Sequence, residues 1–254
     1  MFLQCYTFAW LHKLGETQNQ SQQTSHICDN PRVNITNIIQ TILIYALPVL
    51  FAITVHEAAH GYAARYFGDN TAWSLGRITL NPIKHIDPVG TIAMPLLLYI
   101  ATGGSFLFGY AKPVPVRWSN LGNPKRDMVW VALAGPAANL VQALAWSILL
   151  YVLLGADFGE KFFIEMCKAG VLVNVVMFAF NLFPVPPLDG GRILVGLLPY
   201  KQAEQVSRIE PYGFFVVMGL VIAGVLSTLW MQPVMGLTYW VLELVLTPLR
   251  LLVL

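Results

Sequence analysis

"FAITVHEAAHGYAARYFG", residues 51–68, sets two histidines and a glutamate in a run otherwise apolar enough for a lipid bilayer. Ionisable side chains in hydrocarbon are costly, and where they occur they mark function. The rest of the chain agrees with a membrane setting. Of 254 residues, 56% are hydrophobic and 11% charged, against about a quarter charged in an ordinary soluble domain. The apolar residues come in long blocks, as spanning helices require. This composition implies an all-α, polytopic, integral membrane protein embedded in the lipid bilayer. A net charge of +2 gives no basis for a nucleic-acid partner. Cys5, Cys28 and Cys167 form no CxxC pair and no evident disulfide framework, so a bound metal falls to histidine and carboxylate ligands.

Working outward, five blocks reach spanning length, over about 38–66, 128–154, 169–183, 212–230 and 234–249. The third is short, but "GRILVGLLP" beyond its proline-rich break extends it. A sixth block, "VGTIAMPLLLYIATGG" (89–104), carries Pro95 in its middle and suits a re-entrant or interfacial segment better than a crossing. The expectation is therefore about five to six transmembrane helices, with a re-entrant or β-hairpin segment near the active site. Arg65, at the end of the first long block, and Arg77, Lys84, Lys112, Arg117, Lys125 and Arg126 all precede the second. Re-entry at 89–104 puts all seven on one side, which the positive-inside rule makes cytoplasmic; a full crossing scatters them over both faces. Residues 1–34 are rich in Gln, Asn, Ser and Thr and read as a flexible polar tail, with His12 and His26 as solvated bystanders. Residues 35–254 form the membrane-embedded domain.

His56 and His60 lie four residues apart, so on a helix they stack on one face and can share an ion. Glu57, beside the first, is placed to act as general base on a zinc-bound water, the H-E-x-x-H pattern of zinc peptidases. A chance match is expected well below about once in a hundred such sequences. Two protein ligands are too few for a catalytic zinc, which takes about three plus water. His85, in "NPIKHIDPVG", is one candidate for the third. Asp189, in "FNLFPVPPLDGGRIL" (180–194), is the better one: a carboxylate in an apolar region, beside Gly190 and Gly191, which admit close backbone approach. Pro184, Pro186 and Pro187 forbid a regular helix there, and such a break is tolerated at membrane depth only where it is buried or lines a cavity. The plainer alternative makes Asp189 the N-cap of the helix that follows.

In order, "HEAAHGYAARYFGD", "NPIKHIDPVGT", "FGYAKPVPV", "ALAGPAANL" and "NLFPVPPLDGGRIL" resemble the site-2 protease family of intramembrane zinc metalloproteases, in its compact branch without a PDZ domain. The resemblance covers about 35–254. It implies a zinc metalloendopeptidase with one Zn2+ per chain, held by His56, His60 and Asp189, with Glu57 as general base. It also implies a substrate or transition-state contact at Asn181, whose alternative role is structural, tying down the proline-rich break. The substrate class it implies is a transmembrane segment of another membrane protein, cut near the cytoplasmic side in regulated intramembrane proteolysis. One departure is Arg117-Trp118 after "KPVPV", where an Asn-Pro pair is the family's habit.

Other polar residues have plainer readings. Gly135, Pro136 and Asn139 suit packing around the zinc helix, where Asn139 can bond across helices; Asn174 suits packing or, two turns from Asn181, the same cavity. Glu243, in a late apolar block, has no matching motif. "WSLGRITLNP" (73–82) has strand-like composition, fit either to pair with an unwound substrate or to cover the cytoplasmic mouth. A membrane metal or solute transporter with a midplane ion site is the rival reading, but such proteins are built on internal repeats, and no motif here is duplicated. Oligomeric state is not legible in the sequence.

Overall fold

A computed structural model describes residues 35–101 and 109–253. The tail expected over 1–34, His12 and His26 included, lies outside these residues. Four long helices carry the fold. They are α1 (Ile35–Tyr66), α4 (Pro124–Gly155), α5 (Lys161–Asn181) and α9 (Gln232–Val253). Between them come the short α2 (Thr71–Ser74), α3 (Met94–Ala101), α6 (Asp189–Leu197), α7 (Tyr200–Ser207) and α8 (Glu210–Ile222). The all-α expectation holds, and the described residues contain no strand.

Four helical runs are long and apolar enough to cross a membrane: Ile39–Tyr66, Pro124–Gly155, Lys161–Asn181 and Ser227–Leu252. The block expected over 212–230 folds differently. Its helix ends at Ile222, with Gly224 at φ +72 just beyond, a left-handed position that glycine adopts without strain. Helix α8 has 13 residues, a rise of about 20 Å against roughly 30 Å of hydrocarbon. The remainder of the block joins α9 through a π-helical turn at Ser227–Met231. The third block begins earlier than its hydropathy indicates, at Lys161, and its added first turns carry a Lys168–Glu165 pair at 2.9 Å.

The sixth block is described only as far as Ala101, and its described residues hold no helix long enough to cross a membrane. Helix α3 has 8 residues, about 12 Å of rise. On either side of it, Tyr110 N donates to Gly90 O at 3.0 Å and Thr91 Oγ1 donates to Tyr110 O at 2.9 Å. The strand-like stretch 73–82 is the end of α2, a turn through Gly76 at φ +61, and the lead into a 3-10 turn at Pro82–His85. No β-hairpin forms there.

Helix α4 is central, packed against α1, α5 and α6. The main apolar core joins Ala143 and Tyr151 of α4, Val171, Val175 and Ala179 of α5, Val217 of α8, and Met235, Tyr239, Leu242 and Leu246 of α9. Glu243, unexplained by sequence, pairs with Arg250 two turns later at 3.4 Å.

One buried carboxylate ties the loop after α1 to the loop before α4. Asp69 accepts from Thr71 N, Thr71 Oγ1, Asn120 Nδ2 and Arg117 N. Burial alone would raise its pKa, but the Thr71 hydroxyl, the Arg117 and Thr71 amides and the Asn120 amide together hold it below the usual carboxylate range. A carboxyl depressed in the folded state stabilises fully above its unfolded pKa and loses that contribution as pH falls through the folded one. Asp69→Ala is therefore expected to cost about 1–3 kcal/mol near neutral pH. Thermal unfolding in detergent across pH should show the gap to wild type constant above about pH 4 and closing below it.

Candidate active site and metal centre

His56 and His60 lie on the last third of α1, one turn apart, facing α4. His56 Nδ1 donates to Asn139 Oδ1 at 2.6 Å, and His60 Nδ1 donates to Val131 O at 2.7 Å. Both acceptors belong to α4 and neither can itself donate, so each imidazole carries its proton on Nδ1 and presents a bare Nε2 lone pair. The two Nε2 atoms stand 3.1 Å apart. Asp189 Oδ2 lies 3.2 Å from His56 Nε2 and 3.3 Å from His60 Nε2. That oxygen is buried and, with both imidazole protons committed elsewhere, accepts no hydrogen bond.

Three acceptors at this separation repel one another unless a cation lies among them. Zinc with bonds of about 2.0–2.1 Å has tetrahedral edges of about 3.3 Å, so the observed spacing fits that ion. These three atoms form one group able to hold a metal among the described residues. Helix α4 leaves room for it at Gly135, where a Cβ would sit 2.3 Å from His60 Nε2 and 2.6 Å from His56 Cε1.

Asp189 is delivered by the proline-rich break between α5 and α6. Gly190 and Gly191 permit that path, since a Cβ on either would stand 2.1 Å from backbone, at Leu182 O and Pro186 N respectively. The N-cap of α6 is Leu188, and Asp189, the first helical residue, makes no capping hydrogen bond. The capping alternative is thereby set aside. His85, the other candidate ligand, is buried elsewhere, with Nε2 bonded to Thr79 O at 2.9 Å. It takes no part in the cluster.

Glu57 opens with the metal group onto one cavity of about 340 Å³, which is also lined by Val114, Trp118, Asn181 and Arg192. Its Oε2 accepts from Val114 N at 2.8 Å. Asn181 reaches the cavity from the end of α5, with Nδ2 donating to Met177 O at 3.0 Å. The structure thus gathers His56, Glu57, His60, Asn181 and Asp189 around one space.

The cross-helix bonding that the sequence allows for Asn139 is observed, and it reaches further than packing: through it Asn139 and Asn174 are joined to the metal group. Asn139 Nδ2 donates to Asn174 Oδ1 at 2.9 Å and to Ala52 O at 3.2 Å, and Asn174 Nδ2 donates to Gly170 O at 2.9 Å. This relay turns the Asn139 carbonyl toward His56 and fixes its tautomer. The signal in sequence was a pair of amides in two apolar spans, each needing a partner.

Residues 155–224 match peptidase family M50. "Putative zinc metalloprotease YwhC" of Bacillus subtilis (strain 168) is 38% identical over 179 residues, which is 68% of this chain and 78% of that protein. "Putative zinc metalloprotease Rip2" of Mycolicibacterium smegmatis is 32% identical over 194 residues, 75% of this chain and 70% of that one. The Rip2 protein of Mycobacterium tuberculosis (strain ATCC 25618 / H37Rv) is 29% identical over 205 residues, 77% and 71% of the two chains. No solved structure matches. The chain belongs to peptidase family M50, the site-2 protease family. It is an integral membrane metalloprotease with zinc as its cofactor.

Two outcomes test this geometry. Asn139→Leu, which keeps the volume but removes the acceptor for His56 Nδ1, should weaken zinc binding about 10- to 100-fold in a chelator competition titration. Gly135→Ala should purify as a folded helical protein yet retain little zinc by elemental analysis, because its methyl group occupies the space between the imidazoles.

Proposed function

We propose that the protein is an intramembrane endopeptidase that hydrolyses peptide bonds in or near transmembrane segments of other membrane proteins, the cleavage step of regulated intramembrane proteolysis. The observation that carries this reading is the meeting of three unprotonated acceptors with a carboxylate base, Glu57, in one cavity. His56, His60 and Asp189 are its metal ligands, one zinc per chain. When bound, zinc supplies a Lewis acid and lowers the pKa of coordinated water toward about 7.

Glu57 takes the proton of the attacking water on a carboxylate oxygen and returns it to the leaving amine, acting as base and then as acid. The Val114 amide holds Oε2, which fixes the direction from which that proton is received. Oxyanion charge develops on the scissile carbonyl as water adds. One N–H of Asn181 is committed to Met177 O, and the second serves that oxygen. A peptide bond inside a helix is sheltered by its own hydrogen bonds, so the substrate segment is unwound before it enters.

Depth supports the choice of substrate. His56 lies 17 residues from Ile39 and 10 from Tyr66 in the first span, about 26 Å and 15 Å along the axis. This supports a site within the lipid, nearer the end of α1 that leads to the seven basic residues. By the positive-inside rule that end is cytoplasmic. Residues 35–254 constitute the catalytic domain, with 1–34 an appended tail.

The deciding experiment uses reconstituted protein and a single-span model substrate. Glu57→Gln is expected to keep its zinc and lose cleavage by at least about a hundredfold, while Asp189→Ala loses bound metal. Full cleavage by Glu57→Gln refutes the assignment of the base. Metal flux into vesicles without any hydrolysis would instead favour a transporter.

A further inference from the structure

We propose that Asp69 is a positioning residue for Glu57, acting through the extended strap 109–117 that carries the Val114 amide. This rests on the reading of Glu57 as general base.

The strap has no sheet partner, so it is held by separate clamps. Near its start, Arg77 Nη2 donates to Lys112 O at 3.0 Å and Pro113 O at 3.3 Å, and Lys112 N donates to His85 O at 2.9 Å. At its end, Arg117 N donates to Asp69 Oδ2 at 2.7 Å. Between the clamps, Val114 N donates to Glu57. Pro113 and Pro115 flank it, each lacking an N–H and holding φ near about −65°. Val114 therefore carries the sole amide proton of 113–115, aimed by rigid neighbours at the carboxylate.

The two oxygens of Asp69 divide their work. Oδ1 accepts from Thr71 N, Thr71 Oγ1 and Asn120 Nδ2, which organise the loop after α1. Oδ2 accepts from Arg117 N, which belongs to the strap. Asn at 69 retains a carbonyl oxygen for the three donors on the first side. On the other it sets an N–H₂ against the Arg117 N–H, donor against donor, and releases the strap while leaving the loop in place.

The test compares full-length wild type, Asp69→Asn, Asn120→Ala and Glu57→Gln. Four quantities are measured: kcat, KM for a single-span model substrate, zinc per chain, and hydrogen exchange over 109–118. Asp69→Asn is expected to lose about tenfold or more in kcat, since a displacement near 1 Å at a reacting group costs about 10²-fold. Its KM and zinc content should stay near wild type and its strap amides should exchange faster. Asn120→Ala, which strips a bond from Asp69 without touching the strap, should keep kcat near wild type.

A wild-type kcat in Asp69→Asn despite faster exchange overturns the proposal. So does loss of zinc in step with activity, or an equal loss of kcat in Asn120→Ala. If Glu57→Gln is inactive while Asp69→Asn is fully active, this inference alone fails; an active Glu57→Gln sinks the general-base reading itself. Should Asp69→Asn not fold, Glu57→Ala answers the same question from the other end. Losing the carboxylate should speed exchange over 110–117, and unchanged exchange refutes the coupling.

Discussion

Two bare imidazole nitrogens and a carboxylate oxygen, within 3.3 Å of one another and none holding a proton for the others, form the constraint on which the rest of the structure depends. Such a group is unstable by itself. Either imidazole could relieve it by moving its proton to Nε2, and the fold blocks this by binding both Nδ1 protons to fixed acceptors on α4. One acceptor is a backbone carbonyl, Val131 O. The other is Asn139, turned by Asn174 on α5. Helix α4 thus does three things at once: it sets both tautomers, opens the metal space at Gly135, and ties α1 to α5. Its central position in the bundle follows from that triple duty.

The third proposed ligand, Asp189, comes from more than a hundred residues downstream, and its arrival needs backbone that no regular helix provides. Pro184, Pro186 and Pro187 stop α5 from continuing. Gly190 and Gly191 let the chain fold back to within contact of Leu182 and Pro186, and Gly213 lets α8 rest on the same break, where a Cβ would overlap Pro186 O at 1.7 Å. The break is therefore packed on both sides. Rigid packing is what keeps a single carboxylate oxygen at ligand distance from two nitrogens, since a mobile loop would spend its time elsewhere.

Much of this was legible in the sequence, for reasons specific to particular residues. The spacing of His56 and His60 dictates a shared face on any helix, and an unpaired Asp189 in an apolar setting has few uses besides a metal. The interruption of the apolar run at 89–104 was readable from Pro95. Other features stayed hidden. The end of α8 hangs on the backbone sign at one glycine, Gly224, in a block whose hydropathy is continuous. The start of α5 is masked by Lys161, Glu165 and Lys168, which hydropathy counts as polar but which reach water or each other. The role of Asn139 depends on which way its amide points, and only the positions of His56, Ala52 and Asn174 together decide that.

The proposed hydrolysis inside a bilayer needs water where hydrocarbon excludes it. Irregular backbone at such depth is stable only where its polar groups are satisfied or line a wet cavity. Two irregular segments occur here at the level of the site, the proline-rich break and the strap 109–117, and both line the same cavity. Their backbone groups are largely bound within the protein: Val185 N to Phe183 O, Leu188 N to Val185 O, Lys112 N to His85 O, and Val114 N to Glu57. The segments that would be most costly in lipid are thus the ones that exclude lipid from the metal group. In doing so they wall the cavity onto which Glu57 opens. Non-helical structure and catalysis share a place because the same backbone that cannot face hydrocarbon is what a water-filled site requires for its walls.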